Sequence, residues 1–188
     1  MIVFDPSYPE FDESRFVKHD WGNFYGKVKE AIPPNAPLDA DHAGDKLTRR
    51  SRTGIITYMN MAPIVWHSKR QNSVKTSTFG LEFVAMKVAT ERLKGLRYKL
   101  RMMGVPLSGP SYLFGDNQSV ISNTTAPESQ LKKKSNSIAY YCVCESVASG
   151  ELLTAYENTE TSVSDIMTKC LPGGERRTKL VRRLLYDF

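Results

Sequence analysis

The sequence has 188 residues, of which 40% are hydrophobic and 24% are charged, and these proportions predict one ordinary globular domain with a short appendage. No apolar run approaches the roughly 18 residues that span a bilayer, and we expect no signal peptide because the N-terminus lacks a basic region. Three cysteines without a Cys-x-x-Cys pair argue against a disulfide framework or a structural zinc site. The net charge of +6 favours a polyanionic partner, although many proteins of this charge bind no nucleic acid.

The chain divides into a predicted lead-in, residues 1–37, and a predicted domain, residues 38–188. Asp20 is a candidate N-cap for a helix in the lead-in, and Pro33, Pro34 and Pro37 interrupt regular structure after it.

The sequence becomes rich in β-branched and aromatic residues from position 53. Strands are predicted at 53–59, 64–68 and 72–76, and their close spacing indicates an antiparallel meander. A long helix follows from Ser77 or Thr78 to Met103, and Gly104 ends it. Apolar residues and one acid recur along one side of this helix at spacings of three and four, at Glu82, Ala85, Met86, Ala89, Leu93, Leu96 and Leu100.

The second half of the chain alternates short strands with helices. A buried strand is predicted at 112–114, a helix from Asn117, a helix from Ser135 or Ser137 to Gly150, a strand at 151–157, and helices at 162–168 and 175–185. This order predicts an α/β fold, in which a mixed sheet of antiparallel and then parallel strands has helices on both faces.

Two of the four candidate catalytic carboxylates lie on well-defined elements. Glu82 is in phase with the apolar stripe of the long helix, where an unpaired carboxylate costs several kcal/mol unless a positive group compensates it. Its alternative role is a favourable position near the positive helix N-terminus. Asp116 follows a strand, where ligands bind in open α/β sheets, but Gly-Asp-Asn is also a common turn composition.

The other two carboxylates have stronger alternative explanations. Asp165 follows Ser162 by three residues and matches a capping box. Asp39 lies in an acid-rich segment, and such segments are usually solvated loops. Together the four acids could supply the oxygen ligands of two magnesium ions. They are an Asp, a Glu on a helix, an Asp at a strand end and an Asp at a later helix.

Five segments resemble the ribonuclease H domain of copia-type retrotransposon polyproteins. Each motif is weak by itself, whereas five in the same order are specific. They are residues 39–45 with 50–54 (DADHAGD and RSRTG), 66–71 (WHSKRQ), 76–83 (TSTFGLEF), 115–119 (GDNQS) and 164–169 (SDIMTK).

The resemblance implies a ribonuclease H fold that cleaves the RNA strand of RNA–DNA hybrids with two Mg²⁺ ions. It places the catalytic and metal-binding roles on Asp39, Glu82, Asp116 and Asp165. It implies fusion to a reverse transcriptase, no small-molecule cofactor, no membrane partner, and an intracellular location in a cytoplasmic virus-like particle or the nucleus. The residues expected to contact the hybrid are Lys69, Arg70, Gln71, Asn117, Gln118, Lys133 and Lys134, with Trp66 nearby.

The sequence departs from this family before the first aspartate. Pro37 lacks the N–H that a central strand needs, so we expect the first strand to be truncated and Asp39 to be misplaced. A rival hypothesis follows, in which the chain is a decayed polyprotein fragment that at most binds hybrid without cutting it. An integrase-like nuclease is a third possibility, but those usually place the glutamate last, whereas Glu82 comes second of four.

Overall fold

A computed structural model describes residues 35–41, 47, 50–60, 62–72, 77–107, 109–125 and 136–185. The predicted helix after Asp20 and the interruptions predicted at Pro33 and Pro34 lie outside these residues, whereas Pro37 lies within them. Most of the predicted third strand at 72–76 also lies outside the described residues. The elements are β1 (Ala36–Asp41), β2 (Arg52–Met59), β3 (Ala62–Arg70), α1 (Thr78–Met102), β4 (Ser111–Gly115), α2 (Gln118–Thr125), α3 (Ser137–Ala148), β5 (Leu152–Tyr156), α4 (Asp165–Thr168) and α5 (Glu175–Leu184).

The five strands form one mixed sheet in the order β3-β2-β1-β4-β5. The β1–β2 and β2–β3 pairs are antiparallel, and the β1–β4 and β4–β5 pairs are parallel. The predicted fold class is confirmed.

Helices cover both faces of the sheet because successive strand residues point to opposite sides. Ile55 belongs to the larger core, which α1 and α3 complete on one face, while the neighbouring Ile56 packs with Val163 and Leu180 on the other. Across the described ranges, no helix is both long and apolar enough to cross a membrane.

Helix α1 begins and ends where its sequence predicts. The Ser77 side chain accepts a hydrogen bond from the backbone N–H of Gly80, which caps the first turn. Gly104 has a φ of 74°, a left-handed conformation that glycine adopts without steric cost and that commonly follows a helix. Glu82 and most of the apolar stripe are buried, so the helix faces the sheet as its periodicity indicates.

The expectation that a truncated first strand misplaces Asp39 is wrong, because β1 occupies the centre of the sheet and carries Asp39. The Pro37 position interrupts the pairing with β2, but Asn35 pairs with Tyr58 before it and Leu38 pairs with Ile55 after it. A missing N–H therefore removes one bond from the ladder without displacing the strand. β1 has six residues, and its parallel pairing with β4 is confined to Ala36 and Pro37.

Candidate metal centre

Asp39 lies on β1, and its side chain is buried. Its carboxylate accepts a hydrogen bond from the Thr168 hydroxyl, and its Oδ2 lies 3.4 Å from Lys169 Nζ. Burial raises the pKa of the Asp39 carboxyl, although the Thr168 hydrogen bond and the Lys169 charge act in the opposite direction. The alternative of a solvated loop residue is therefore wrong.

Glu82 is buried on α1, beyond the first turn of the helix, and faces β1. The backbone N–H of Ala40 donates to its carboxylate. Burial is the largest influence on this group, and with the charges of Asp39 and Asp116 it raises the pKa of Glu82 to about 9. A cation placed among these carboxylates would favour the ionised form, because it would offset both burial and repulsion.

Asp116 follows β4 directly and is half-buried. Its Oδ2 accepts a hydrogen bond of 3.2 Å from the Thr159 hydroxyl, which comes from the loop after β5. The end of the parallel strand β4 thus brings Asp116 to the same edge of the sheet as Asp39.

Three of the four predicted carboxylates converge. One carboxylate oxygen from each of Asp39, Glu82 and Asp116 lies within 4.8 Å of those of the other two. They come from a strand, a helix and a strand end, so the tertiary fold creates the group. Hard oxygen donors in this arrangement fit a divalent ion such as Mg²⁺ or Mn²⁺.

Asp165 lies beside this group but is held by two basic side chains. It is fully buried, with Oδ1 2.7 Å from Lys169 Nζ and Oδ2 2.6 Å from an Arg176 nitrogen. The capping-box alternative is wrong, because α4 begins after Ser164 and the carboxylate bonds to these cations instead.

Gly54 sets the distance between α4 and the sheet. A Cβ at this position would lie 2.7 Å from the Thr168 Cγ2 and 2.8 Å from the Met167 Cβ, closer than side chains pack. Gly54 is also the antiparallel partner of Asp39. The absence of a side chain at Gly54 thus allows Thr168 to reach Asp39.

The residues expected to contact nucleic acid have different surroundings. Lys69 and Arg70 are exposed at the end of β3, and Gln118 is exposed at the start of α2. Asn117 accepts a hydrogen bond from the Val120 N–H and so caps α2. Gln71 is inside the protein rather than on its surface, and Lys133 and Lys134 lie outside the described residues.

The buried amide of Gln71 has a structural role. Its Nε2 donates to the Thr53 hydroxyl at 2.9 Å and to the Leu81 carbonyl at 3.3 Å. It therefore connects β2 to α1 one residue away from Glu82.

Sequence reasoning assigned no role in the carboxylate site to Thr168, Lys169 and Arg176. The first two belong to the motif at 164–169, and Lys169 follows Asp165 by four residues, the spacing at which helical side chains meet. That spacing could have predicted the ion pair. Nothing local could have predicted the contact of Arg176, because it reaches Asp165 from another helix.

The chain is similar in sequence to segments of retrotransposon proteins, although no family model matches it. It is 29% identical over 145 residues, or 77% of its length, to the retrovirus-related Pol polyprotein from transposon RE1 of Arabidopsis thaliana. It is 29% identical over 135 residues, or 71% of its length, to the corresponding polyprotein from transposon TNT 1-94 of Nicotiana tabacum. In both cases the chain spans about a tenth of the relative's length.

Solved ribonucleases H share the fold at low sequence identity. LC11-RNase H1, in a crystal structure with an RNA/DNA hybrid, matches with a TM-score of 0.56 and 12% identity, over 72% of this chain and 93% of that one. RNase H1 from the archaeon Halobacterium salinarum matches with a TM-score of 0.52 and 13% identity, over 74% and 94% of the two chains. The chain therefore has a ribonuclease H-like fold and is similar to a segment of retrovirus-related Pol polyproteins.

Proposed function

We propose that this chain is the ribonuclease H portion of a retrotransposon polyprotein and hydrolyses the RNA strand of RNA–DNA hybrids. The observation that carries the proposal is the convergence of Asp39, Glu82 and Asp116 on a ribonuclease H-like fold. The proposed biological setting is reverse transcription, with the chain fused to a reverse transcriptase.

The three carboxylates are the proposed ligands of divalent ions. When bound, such ions supply Lewis-acid polarisation of the phosphodiester and activation of water. The protein holds each ligand in place: Thr168 donates to Asp39, the Ala40 N–H donates to Glu82, and Thr159 donates to Asp116. These hydrogen bonds fix the orientations of the carboxylates before any substrate binds.

A row of paired residues crosses the sheet beside the carboxylate group, from the end of β1 to β3, and it contains two arginines. Asp41 pairs with Arg52, and Arg52 pairs with Arg70 on the outermost strand. Neighbouring strands lie about 4.8 Å apart, so this row places positive charge within reach of the carboxylate group. A nucleic acid backbone with its scissile phosphate at the carboxylates could be held along this row.

The decayed-fragment hypothesis depended on the loss of the first strand. Because β1 is in the sheet and places Asp39 beside Glu82 and Asp116, that reason for inactivity no longer applies.

The test is cleavage of an RNA–DNA hybrid with labelled RNA by the full chain in Mg²⁺, with the DNA duplex of the same sequence as a substrate control. We expect cut RNA, no cut DNA, and a rate at least about a hundredfold lower for Asp116→Asn, since even the outer partners of metal ligands can cost that factor. Glu91→Gln is the matched control, because Glu91 is exposed on α1 and pairs with Lys87. Intact hybrid with folded wild-type protein would refute the proposal.

A further inference from the structure

Lys169 places its ammonium between two carboxylates of different elements. It follows the last residue of α4. Its Nζ lies 2.7 Å from Asp165 Oδ1 and 3.4 Å from Asp39 Oδ2. A positive charge shared by two acids in this way occupies a position that a metal ion could otherwise take.

Both oxygens of Asp165 are engaged by cations. Lys169 contacts Oδ1, and Arg176, which comes from α5, contacts Oδ2. Asp165 is fully buried, so it cannot exchange these partners for water without local movement. A metal ion bound by Asp165 would therefore lie close to one of these two positive side chains and be repelled by it.

Asp39 connects this ion pair to the carboxylate group. It belongs to the trio with Glu82 and Asp116, and it is also the second acid that Lys169 contacts. The site thus has two adjacent cation positions that share Asp39. The three carboxylates form one, and Lys169 fills the other.

We propose that Lys169 acts as a built-in cation between Asp39 and Asp165, so that the free protein binds one divalent ion tightly and a second ion only by displacing the Lys169 side chain. The proposal rests on the proposed function for its biological meaning, because it describes how that metal site is filled. A lysine suits this role since its charge is compact and its stem is flexible. Arg176 keeps Asp165 in place when Lys169 leaves.

The consequence for a hydrolase is an ordered assembly of the site. The first ion would be held by Asp39, Glu82 and Asp116, whose carboxylates already lie together. The second position opens only when Lys169 moves outward, which its 35% exposed side chain permits. Lys169 is a positioning residue in this scheme, since it controls which cation the acids face.

The test measures Mn²⁺ binding to the full chain without nucleic acid, by isothermal titration calorimetry and by electron paramagnetic resonance of the free ion. We expect one tight ion for the wild-type protein. Lys169→Met should bind a second ion about ten- to a hundredfold more tightly than the wild type does, the factor expected for release of a hydrogen bond to a charged group. Lys179→Met is the matched control, because Lys179 is exposed on α5 and pairs with Glu175.

Two results would overturn the proposal. The first is that the wild-type protein binds two ions with equal affinity. The second is that Lys169→Met binds the second ion no more tightly than the wild type does. If thermal melting shows that this variant is unfolded, Lys169→Gln replaces it, since its amide can still donate to Asp165. Lys169→Arg, which keeps the charge, should retain one tight ion.

The binding measurement is independent of hybrid cleavage. A second site that tightens in Lys169→Met while no variant cuts RNA would support the role of Lys169 and contradict the proposed function. RNA cleavage together with an unchanged second site in Lys169→Met would support the proposed function and contradict the role of Lys169.

Discussion

Replacing Glu82 with glutamine should stabilise the metal-free protein at neutral and alkaline pH. Glu82 is 6% exposed, and burial, together with the charges of Asp39 and Asp116, raises its pKa to about 9 from an ordinary value of 4.5. A carboxyl whose pKa is raised by folding stabilises the protein fully below its unfolded pKa. That stability is lost as the pH rises towards the folded pKa.

The size of the effect follows from the shift. Each pH unit between the two pKa values costs about 1.4 kcal/mol of folding free energy, so the interval from pH 5 to pH 8 costs at most about 4 kcal/mol. For a domain of this size, 1 kcal/mol moves the melting temperature by about 2–4 °C. The melting temperature of Glu82→Gln should therefore gain on that of the wild type by up to about 8–16 °C across this interval.

The assay is thermal unfolding followed by circular dichroism in EDTA at several pH values. The difference between variant and wild type isolates Glu82, because other titrating groups are common to both proteins. Glu91→Gln, an exposed carboxyl on the same helix, should melt in parallel with the wild type. Mg²⁺ should raise the melting temperature of the wild type at pH 8 and have a much smaller effect on Glu82→Gln. If Glu82→Gln and the wild type melt in parallel from pH 5 to pH 8, Glu82 does not share a buried site with Asp39 and Asp116.

Two further substitutions test the scaffold of the site. Gly54→Ala should push α4 away from the sheet, because the added Cβ would overlap Thr168. The variant should lose about 1–3 kcal/mol of stability and most of the proposed metal-dependent cleavage. An unchanged melting temperature and unchanged activity would show that α4 does not pack against Gly54. Leu38→Ala should cost about 2–5 kcal/mol in denaturant unfolding because Leu38 is fully buried on β1, whereas Leu153→Ala, at a position that is 39% exposed, should cost less. Equal losses for the two leucine variants would mean that β1 does not form part of the core.

The helix and strand pattern of this protein is largely determined by local sequence. The stripe along α1 follows from apolar residues at helical spacing, and Ser77 and Gly104 define its ends through capping and a left-handed conformation. The runs that form β2 and β4 are rich in β-branched and aromatic residues. Such features act over a few residues, so they can be predicted without knowledge of the fold.

The motifs also predicted that four acids share one site, and three of them converge, although the motifs did not predict the surroundings of these acids. Asp39, Glu82 and Asp116 meet because β1 and β4 are parallel neighbours and α1 packs across them. No property of a 10-residue window specifies that meeting, since the three residues are far apart in the chain.

Two features were decided by the tertiary structure alone. The presence of Pro37 predicted a truncated strand, yet the strands on both sides of β1 hold β1 in the sheet. The missing N–H costs less free energy than the burial of Leu38 and Ala36 gains. Asp165 follows Ser162 by three residues, as in a capping box, yet its carboxylate pairs with Lys169 and Arg176. The physical reason is the same in both cases: burial and charge pairing with distant residues outweigh the local preferences that a sequence displays.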